Sequence, residues 1–251
     1  MGVTTIDRQG RILIQDEEST LLHAFDQFGD SLFIAKPAGG DFDGLESDRI
    51  DVDSQGNIYV RPDQFEPNLI QFTGDGKRVG RVAFETNDVA FAPDGSRWVA
   101  SSEIYDEVSL KRVKDGEALA TILRSPTNRW LMRLTDLQVD EQNRLLVQSY
   151  DRDDDPTHWL AVYSPDGNLQ SWKAILDASG SKMAVCKKWV IFFSRWQDSV
   201  VLLRRADQKL FDVQLEGHTK DHAAHFGFSP QGHELWWIDS RGPTLRKFEL
   251  P

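Results

Sequence analysis

The sequence lacks the features that mark secreted and membrane proteins. Its 251 residues include a single cysteine, Cys186, so no disulfide can form within the chain. No apolar run reaches the 18 residues that a membrane-spanning helix needs, and the opening stretch, MGVTTIDRQG, has no apolar core of a signal peptide. These absences favour a cytoplasmic protein that does not act at a membrane.

The chain also lacks an excess of positive charge. Lys and Arg together number 29 against 40 Asp and Glu, which gives a formal net charge of −11 at pH 7. Nucleic-acid binding depends mainly on neutralising phosphates, and no cluster of Lys and Arg separates a basic face from this acidic background. We therefore expect no nucleic-acid partner.

What the chain does contain is one short pattern written many times. In VDSQGNIYV (Val52 to Val60) a polar pair and a glycine separate two apolar stretches, which is typical of a hairpin turn. Related copies are IDRQGRILI, FAPDGSRWVA, VDEQNRLLV, the degenerate VCKKWVIFF and FSPQGHELWW. The turn positions are Gly10, Gly56, Gly95, Asn143, about Lys187 and Gly232, and they recur about every 39 to 48 residues.

A second series of turns lies about 20 residues after the first, around Gly29, Gly76, Gly116, Gly167 and Asp207. Each period therefore holds two hairpins, and four strands in 40 to 50 residues are the signature of a propeller blade. We predict an all-β, six-bladed β-propeller that forms a single domain over residues 1–251. The expected blades cover residues 1–46, 47–86, 87–132, 133–179, 180–217 and 218–251.

The sixth blade is expected to be incomplete. After Gly232 the second turn is due near the last residue, so this blade is predicted to lack its fourth strand. TLRKFELP (Thr244 to Pro251) would then form an outer strand with an open edge, unless Arg246, Lys247 and Pro251 blunt it. Strand addition from another chain at residues 244–251 is one possible use of such an edge, and a three-stranded blade without a partner is the alternative.

Several of these repeated segments resemble a known family. RIDVDSQGNIYVRPDQFEPNLIQFTGDGKRVG (Arg49 to Gly80) resembles an NHL repeat, with its D-x-x-G-x-I-Y-V core and a later G-D-G-K turn. TNDVAFAPDGSRW and FGFSPQGHELWWIDS are similar to blades of the senescence-marker and gluconolactonase family, which shares the six-bladed architecture. These motifs identify strands and turns, so the resemblance implies the fold and does not specify a chemistry.

Aligning the first strands of the blades by their turns places polar residues at equivalent positions, where each strand begins at the mouth of the central channel. These are Arg49, Asp88, Asp136, Lys182 and His225, with Asn87 beside Asp88. The ring can bind a ligand or partner, or its charges can neutralise one another across a water-filled channel. Both interpretations stay open from the sequence.

The resemblance adds a metal alternative at the same place. In metal-dependent lactonases of this architecture, carboxylate and amide ligands converge on a divalent cation at the channel mouth. Asn87, Asp88 and Asp136 are the candidate oxygen ligands here, but calcium takes six or more oxygens, and Arg49 and Lys182 would oppose a cation. The resemblance thus implies Ca or Zn at the mouth only as the alternative to a site without a cofactor.

Seven of the eight tryptophans fall into two groups. Trp98, Trp189, Trp236 and Trp237 lie on predicted second strands and are expected in the core, whereas Trp130, Trp159 and Trp196 are placed in loops on one face. Loop aromatics mixed with arginines are typical of protein-binding hot spots, although such residues can also fold back as plugs over a blade. The loop tryptophans are therefore candidate partner-binding residues.

Two weaker patterns are better explained without a metal. Asp151, Asp153 and Asp155 begin like a calcium loop, but Pro156 replaces the glycine that must turn it. The spacing of His218, His222 and His225 suits zinc, yet no cysteine lies near them. We expect a solvated acidic loop and surface or channel histidines.

Together these patterns predict a non-enzymatic binding module or scaffold for another protein, using the loop face and the channel mouth, with no cofactor. The alternative is a metal-dependent lactonase or hydrolase of the gluconolactonase-like type. Metal titration separates the two hypotheses.

Overall fold

The strands and the turns between them are described in a computed structural model. It describes residues 3–16, 21–36, 49–61, 68–83, 88–103, 107–122, 126, 134–150, 158–175, 182–193, 199–214, 224–239 and 244–250. Within these ranges all regular secondary structure is β-strand. No helix in the same ranges is long and apolar enough to cross a membrane.

The strands form six separate antiparallel sheets, which are the blades. Blade 1 contains β1 (Val3–Ile6), β2 (Ile12–Gln15), β3 (Leu22–Phe25) and β4 (Ser31–Ala35), and blade 2 contains β5 (Arg49–Val52), β6 (Ile58–Arg61), β7 (Asn68–Phe72) and β8 (Arg78–Ala83). Blade 3 contains β9 (Asp88–Phe91), β10 (Arg97–Glu103), β11 (Glu107–Lys114) and β12 (Glu117–Ile122), and blade 4 contains β13 (Leu134–Val139), β14 (Leu145–Tyr150), β15 (His158–Tyr163) and β16 (Leu169–Ile175). Blade 5 contains β17 (Lys182–Val185), β18 (Trp189–Phe193), β19 (Ser199–Arg204) and β20 (Lys209–Gln214), and blade 6 contains β21 (Ala224–Phe228), β22 (Glu234–Asp239) and β23 (Thr244–Glu249).

This architecture confirms the predicted all-β, six-bladed β-propeller. Five sheets have four strands, and the sheet of blade 6 has three in the part of the chain that is described. The chain divides into two compact units. The first contains Met1–Asn87 and Ala223–Pro251, and the second contains Asp88–His222.

The first-series turns have the backbone that the repeated pattern requires. Gly10, Gly56, Gly95 and Gly232 all have positive φ, and Asn143 takes the same left-handed conformation with φ of 60°. Asparagine tolerates this region better than most residues because its short side chain bonds to the local backbone. The predicted alignment of Asn143 with the turn glycines is therefore confirmed.

Several of these turns also begin with an aspartate, whose side chain bonds to the backbone of the turn. In blade 2, Asp53 Oδ1 accepts hydrogen bonds from the backbone N–H groups of Gln55 (2.8 Å) and Asn57 (2.9 Å). This side chain thereby replaces the ladder partners that the two amides lose where the strands separate. Asp7 and Asp140 hold their own turns in the same way.

The core lies between the blades because each strand presents alternate side chains to its two neighbours. In blade 4, Leu145 and Val147 pack with the residues of blade 3, whereas Leu146 packs with those of blade 5. Trp98, Trp189, Trp236 and Trp237 are at most 2% exposed, which confirms their predicted place in the core.

Three arginines join neighbouring blades at the turns, and we call them the bridging arginines. Arg11 of blade 1 donates to the carbonyls of Gly74 (2.7 Å) and Gly56 (3.2 Å) in blade 2. A guanidinium carries five N–H donors in a rigid fork, so one side chain can bind two turns at once.

The other two bridging arginines lie in the second unit. Arg112 of blade 3 bonds to Ser96 in its own blade (2.9 Å) and to the Pro165 carbonyl of blade 4 (3.1 Å). Arg205 of blade 5 donates to the Cys186 carbonyl (3.0 Å) and to the carboxylate of Asp140 in blade 4. Blades 1 and 2, blades 3 and 4, and blades 4 and 5 are therefore each linked by charge-assisted hydrogen bonds as well as by apolar packing.

Candidate functional site

The predicted mouth residues begin the first strands of their blades. Arg49, Asp88 and Lys182 are the first residues of β5, β9 and β17, Asp136 is the third of β13, and His225 is the second of β21. Asn87 lies outside the described residues. Arg49, Asn87 and His225 belong to the first unit and the other three to the second, so the single ring of these residues stays a prediction.

Arg49 is neutralised by a residue that sequence reasoning missed. Its Nε lies 2.7 Å from Oδ2 of Asp51, and both side chains are mostly buried. Residues i and i+2 of a strand point to the same face, which is the signal that would have identified this pair. The positive charge of Arg49 is therefore already compensated by Asp51 before any ligand binds.

Asp136 is held by two backbone amides. Its Oδ1 accepts from Leu137 N at 2.8 Å, and its Oδ2 accepts from Met183 N of blade 5 at 2.7 Å, with 7% of the residue exposed. Each carboxylate oxygen therefore has a donor, and the second bond fixes the start of β17 against β13. This carboxylate serves the junction between two blades.

Two further polar residues lie on the same face of blade 4, and with Asp136 we call them the blade 4 polar row: Gln148 and His158. Gln148 is the cross-strand partner of Asp136, and it follows Leu146 by two residues. His158 precedes Leu160 by two residues, and both leucines pack toward blade 5. Period-two alternation therefore directs all three polar side chains toward blade 5.

Burial decides what the polar row can do. Gln148 is 0% exposed and His158 is 5% exposed, and burial lowers the pKa of His158 below its usual 6.5. The imidazole is then neutral at pH 7 and acts as one donor and one acceptor. With all three members at 7% exposure or less, the row is inaccessible to a dissolved substrate and organises the junction of blades 4 and 5.

The described residues show no calcium site. Among the described parts of the chain no group of three or more His, Cys, Asp and Glu side chains is arranged to hold a metal ion. Asp136 already binds two amides, and calcium needs six or more oxygens. The other metal candidates of the sequence lie outside the described residues, so their expected roles stay predictions: Asp151, Asp153, Asp155, His218 and His222.

The loop tryptophans require one correction. Trp159 is the second residue of β15, is 1% exposed and packs in the core between blades 3 and 4, so its assignment to a loop was wrong. The run HWLAVY already begins the strand at His158, directly after the acidic segment. Trp130 and Trp196 lie outside the described residues.

Sequence reasoning also missed an exposed tryptophan. Trp172 on the outer strand β16 is 48% exposed, and it lies opposite Ala161 of β15. Trp172 lies in the segment LQSWKAI, in which alternate residues are exposed. This alternation was the signal in the sequence that could have indicated an exposed tryptophan.

Cys186 is not a nucleophile candidate. It is 8% exposed and lies in the turn that Cys186 N and Trp189 O close at 2.9 Å. Burial raises the pKa of its thiol, so the reactive thiolate is disfavoured at neutral pH.

Comparison with known proteins gives a fold and no assignment beyond it. No protein-family model matches the chain, and no curated protein matches its sequence. The β-propeller domain of Cps50 (Swd1) from Myceliophteria thermophila superposes with a TM-score of 0.65 at 11% identity, covering 100% of this chain and 96% of that one. A gluconolactonase-like protein gives 0.62 at 15% identity (99% and 87% covered), and virginiamycin B lyase from Staphylococcus aureus gives 0.56 at 10% (98% and 83%).

These neighbours confirm the resemblance to gluconolactonase-like six-bladed propellers. Two of the three are named as enzymes or as similar to one, and the third is named only as a propeller domain. At identities of 10 to 15% the likeness shows the shared fold alone.

Proposed function

We propose that the chain is a non-enzymatic, cytoplasmic binding module that serves as a scaffold for another protein and requires no cofactor. The partner surface comprises the loop face and the channel mouth. Its residues are Trp130 and Trp196 on the loops and Arg49, Asn87, Asp88, Lys182 and His225 at the mouth. Asp136, predicted with them, is buried and binds two backbone amides, so it positions the strand starts and does not contact the partner. Trp159 is removed from this set because it is a core residue.

The observation that supports the proposal most is the state of Asp136. A metal-dependent hydrolase needs carboxylate oxygens directed at a common point, but both oxygens of Asp136 accept backbone N–H groups. Arg49 likewise spends its charge on Asp51 at 2.7 Å. Asp136 is thus used to hold blade 5 against blade 4, and Arg49 is neutralised within its own strand. These uses suit a rigid frame for presenting loops better than they suit a metal centre.

The rival hypothesis is a metal-dependent lactonase or hydrolase with Ca or Zn at the mouth. It is favoured by the likeness to a gluconolactonase-like protein, which at 15% identity carries the fold only. Isothermal titration of chelator-treated protein with calcium and with zinc separates the two hypotheses. We expect no saturable one-site binding; tight one-site binding that Asp88→Asn abolishes would overturn the scaffold proposal.

A second experiment tests the loop face directly. Affinity capture with the wild-type protein is compared with capture by the double variant Trp130→Ala/Trp196→Ala. Trp172→Ala is the matched control, because it removes an exposed tryptophan from the outer strand of blade 4. We expect a partner retained by wild type and by the control to be lost from the double variant, since central aromatic residues carry much of the energy of an interface. Equal capture by all three baits would contradict the assignment.

A further inference from the structure

Among the described strands, the last strand of blade 6 has one neighbour. In the described part of the chain β23 pairs with β22 alone, whereas the third strand of each other blade is covered by a fourth. Such a strand presents a row of backbone donors and acceptors to any strand that approaches it.

The ladder fixes which backbone groups of β23 point outward. Leu250 N donates to His233 O at 2.9 Å, so residues of even number in this strand bond toward β22. In an antiparallel ladder alternate residues bond to opposite sides. The N–H and C=O groups of Leu245, Lys247 and Glu249 therefore point away from β22, to the side of β23 on which no described strand lies.

Side chains of opposite charge accompany these outward groups. Lys247 and Glu249 are both exposed and point to the same face of β23. Phe248, between them on the other face, is half-buried and stacks on Trp237 with ring centroids 6.3 Å apart. The edge thus carries one positive and one negative side chain around a fixed aromatic residue.

Blade 1 supplies an apolar flank next to this edge. Phe28, Leu32 and Ile34 are 77%, 50% and 59% exposed. Phe33 packs toward blade 2, so Leu32 and Ile34 point to the opposite face, on which blade 1 packs against blade 6. Lys247 connects the two surfaces, because its Nζ donates to the Gln27 carbonyl at 2.9 Å and lies 6.0 Å from the Phe28 ring.

We propose that this edge binds a second copy of the chain, with β23 of each copy pairing antiparallel across a two-fold axis. Among the registers that centre on residues 246 to 249, charge favours one. Pairing that centres on Lys247, on Arg246 or on Glu249 places a residue opposite its own like-charged copy. Pairing that centres on Phe248 places Lys247 of each copy opposite Glu249 of the other, and like charges meet nowhere among these residues.

The Phe248-centred register also satisfies the backbone. Lys247 and Glu249 both have outward N–H and C=O groups, so their two symmetric pairs exchange about four interchain hydrogen bonds. The two copies of Phe248 meet at the axis as a non-hydrogen-bonded pair, in which side chains approach most closely. The incoming strand takes the position beside β23 and adjoins Leu32 and Ile34 of blade 1, so it covers apolar surface that is exposed in one copy.

The oligomeric state over a range of concentrations tests the pairing, measured by sedimentation equilibrium. We expect a concentration-dependent dimer, with Lys247→Glu and Glu249→Lys each raising the dimer Kd about tenfold, because each puts like charges opposite one another in both pairs. The double variant Lys247→Glu/Glu249→Lys exchanges the charges and should restore the wild-type Kd. Lys111→Glu and Glu117→Lys, which change exposed charges on strands of blade 3, are the matched controls and should leave the Kd unchanged.

Two further readouts make the result decisive. Thermal unfolding establishes that each variant is folded, which matters for Lys247 because it also bonds to Gln27. Hydrogen exchange at the amides of Lys247 and Glu249 should slow as the protein concentration rises. Three results would each overturn the proposal: a wild-type chain that stays monomeric up to several hundred micromolar, single variants that dimerise normally, or a charge exchange that does not restore dimerisation. If the edge binds a strand of a different protein instead, the wild-type chain stays monomeric, and the proposal is overturned in that case too.

Discussion

Asp140→Asn would remove one negative charge from between two arginines without changing the size of the side chain. Oδ1 of Asp140 accepts the backbone N–H groups of Gln142 and Arg144, both at 2.9 Å. Oδ2 accepts Arg144 Nε at 2.8 Å and also binds Arg205 of the next blade. Asparagine can keep the two backbone bonds through its carbonyl oxygen, but its amide then presents N–H donors to two guanidinium groups.

The cost follows from the burial of these partners. The Asp140 side chain is 1% exposed, Arg205 is 12% exposed and Arg144 is 28% exposed. Removing one member of a buried ion pair costs about 3 to 5 kcal/mol because the remaining charge is left uncompensated. Since both arginines keep some contact with water, we expect about 3 kcal/mol, which is a large share of the 5 to 15 kcal/mol that stabilises an ordinary domain.

The effect should depend on pH in one direction. Burial alone would raise the pKa of Asp140, but the hydrogen bonds from Arg205 and Arg144 outweigh burial and hold the pKa below its usual 3.8. A group whose pKa is lowered in the folded state stabilises that state above its unfolded pKa, and this stabilisation is lost as the pH falls through the folded pKa. The difference in unfolding free energy between wild type and Asp140→Asn should therefore be full at pH 6 and shrink below about pH 4.

Urea unfolding followed by tryptophan fluorescence and by circular dichroism measures this difference. The matched control is Asp207→Asn, which removes an aspartate that pairs with Arg204 in a turn where both side chains are over 40% exposed. The Arg204 side chain lowers the pKa of Asp207 to about 2, yet an exposed pair contributes little to stability, so its urea midpoint should stay close to wild type. If Asp140→Asn costs no more than Asp207→Asn, the bridge between blades 4 and 5 does not stabilise the fold as argued.

Two matched pairs of variants test the turns and the core. Gly76→Ala should lower the free energy of unfolding clearly more than Gly116→Ala. Both glycines have φ of +86°, but only at Gly76 would a new Cβ lie 2.3 Å from the Phe33 ring. We expect a loss of about 1 to 2 kcal/mol from the backbone strain that both variants share, and about 1 to 3 kcal/mol more from the clash at Gly76. Equal losses in thermal unfolding would contradict that packing. Trp159→Ala should destabilise the protein by about 3 to 5 kcal/mol and Trp172→Ala by less than about 1 kcal/mol, because the first is a core residue and the second is half-exposed. A mild Trp159→Ala variant would instead restore its earlier interpretation as a contact residue.

Most of the fold was predictable because its turns leave a strong local signal. Positive φ favours glycine or asparagine at the turn position, and this preference made the copies at Gly56, Gly95 and Asn143 recognisable. The degenerate copy around Lys187 was harder, since that turn is closed by a shorter loop between Cys186 and Trp189 that does not need a glycine.

The site was less predictable because polar contacts join residues far apart in the chain. Nothing in the sequence near Asp136 indicates that Met183, 47 positions later, donates its amide to that carboxylate. The wrong placement of Trp159 has a local cause, because a polar segment directly before an apolar run leaves the first residue of the strand undefined within a few positions. Pattern thus defined the strands, whereas the use of each polar side chain required the packing of the blades.

The bridging arginines restrict how a chain of this kind can gain or lose a repeat. Arg11 binds carbonyl groups in the blade that follows it, and Arg205 binds a carboxylate in the blade before it. A blade transplanted alone into another propeller would leave a guanidinium without its acceptor on one side and a turn without its donor on the other. The natural unit of exchange is therefore a set of neighbouring blades joined by bridges, which here means blades 1 and 2 together or blades 3 to 5 together. Recombination or design that respects these boundaries should yield folded chimeras more often than exchange of single blades.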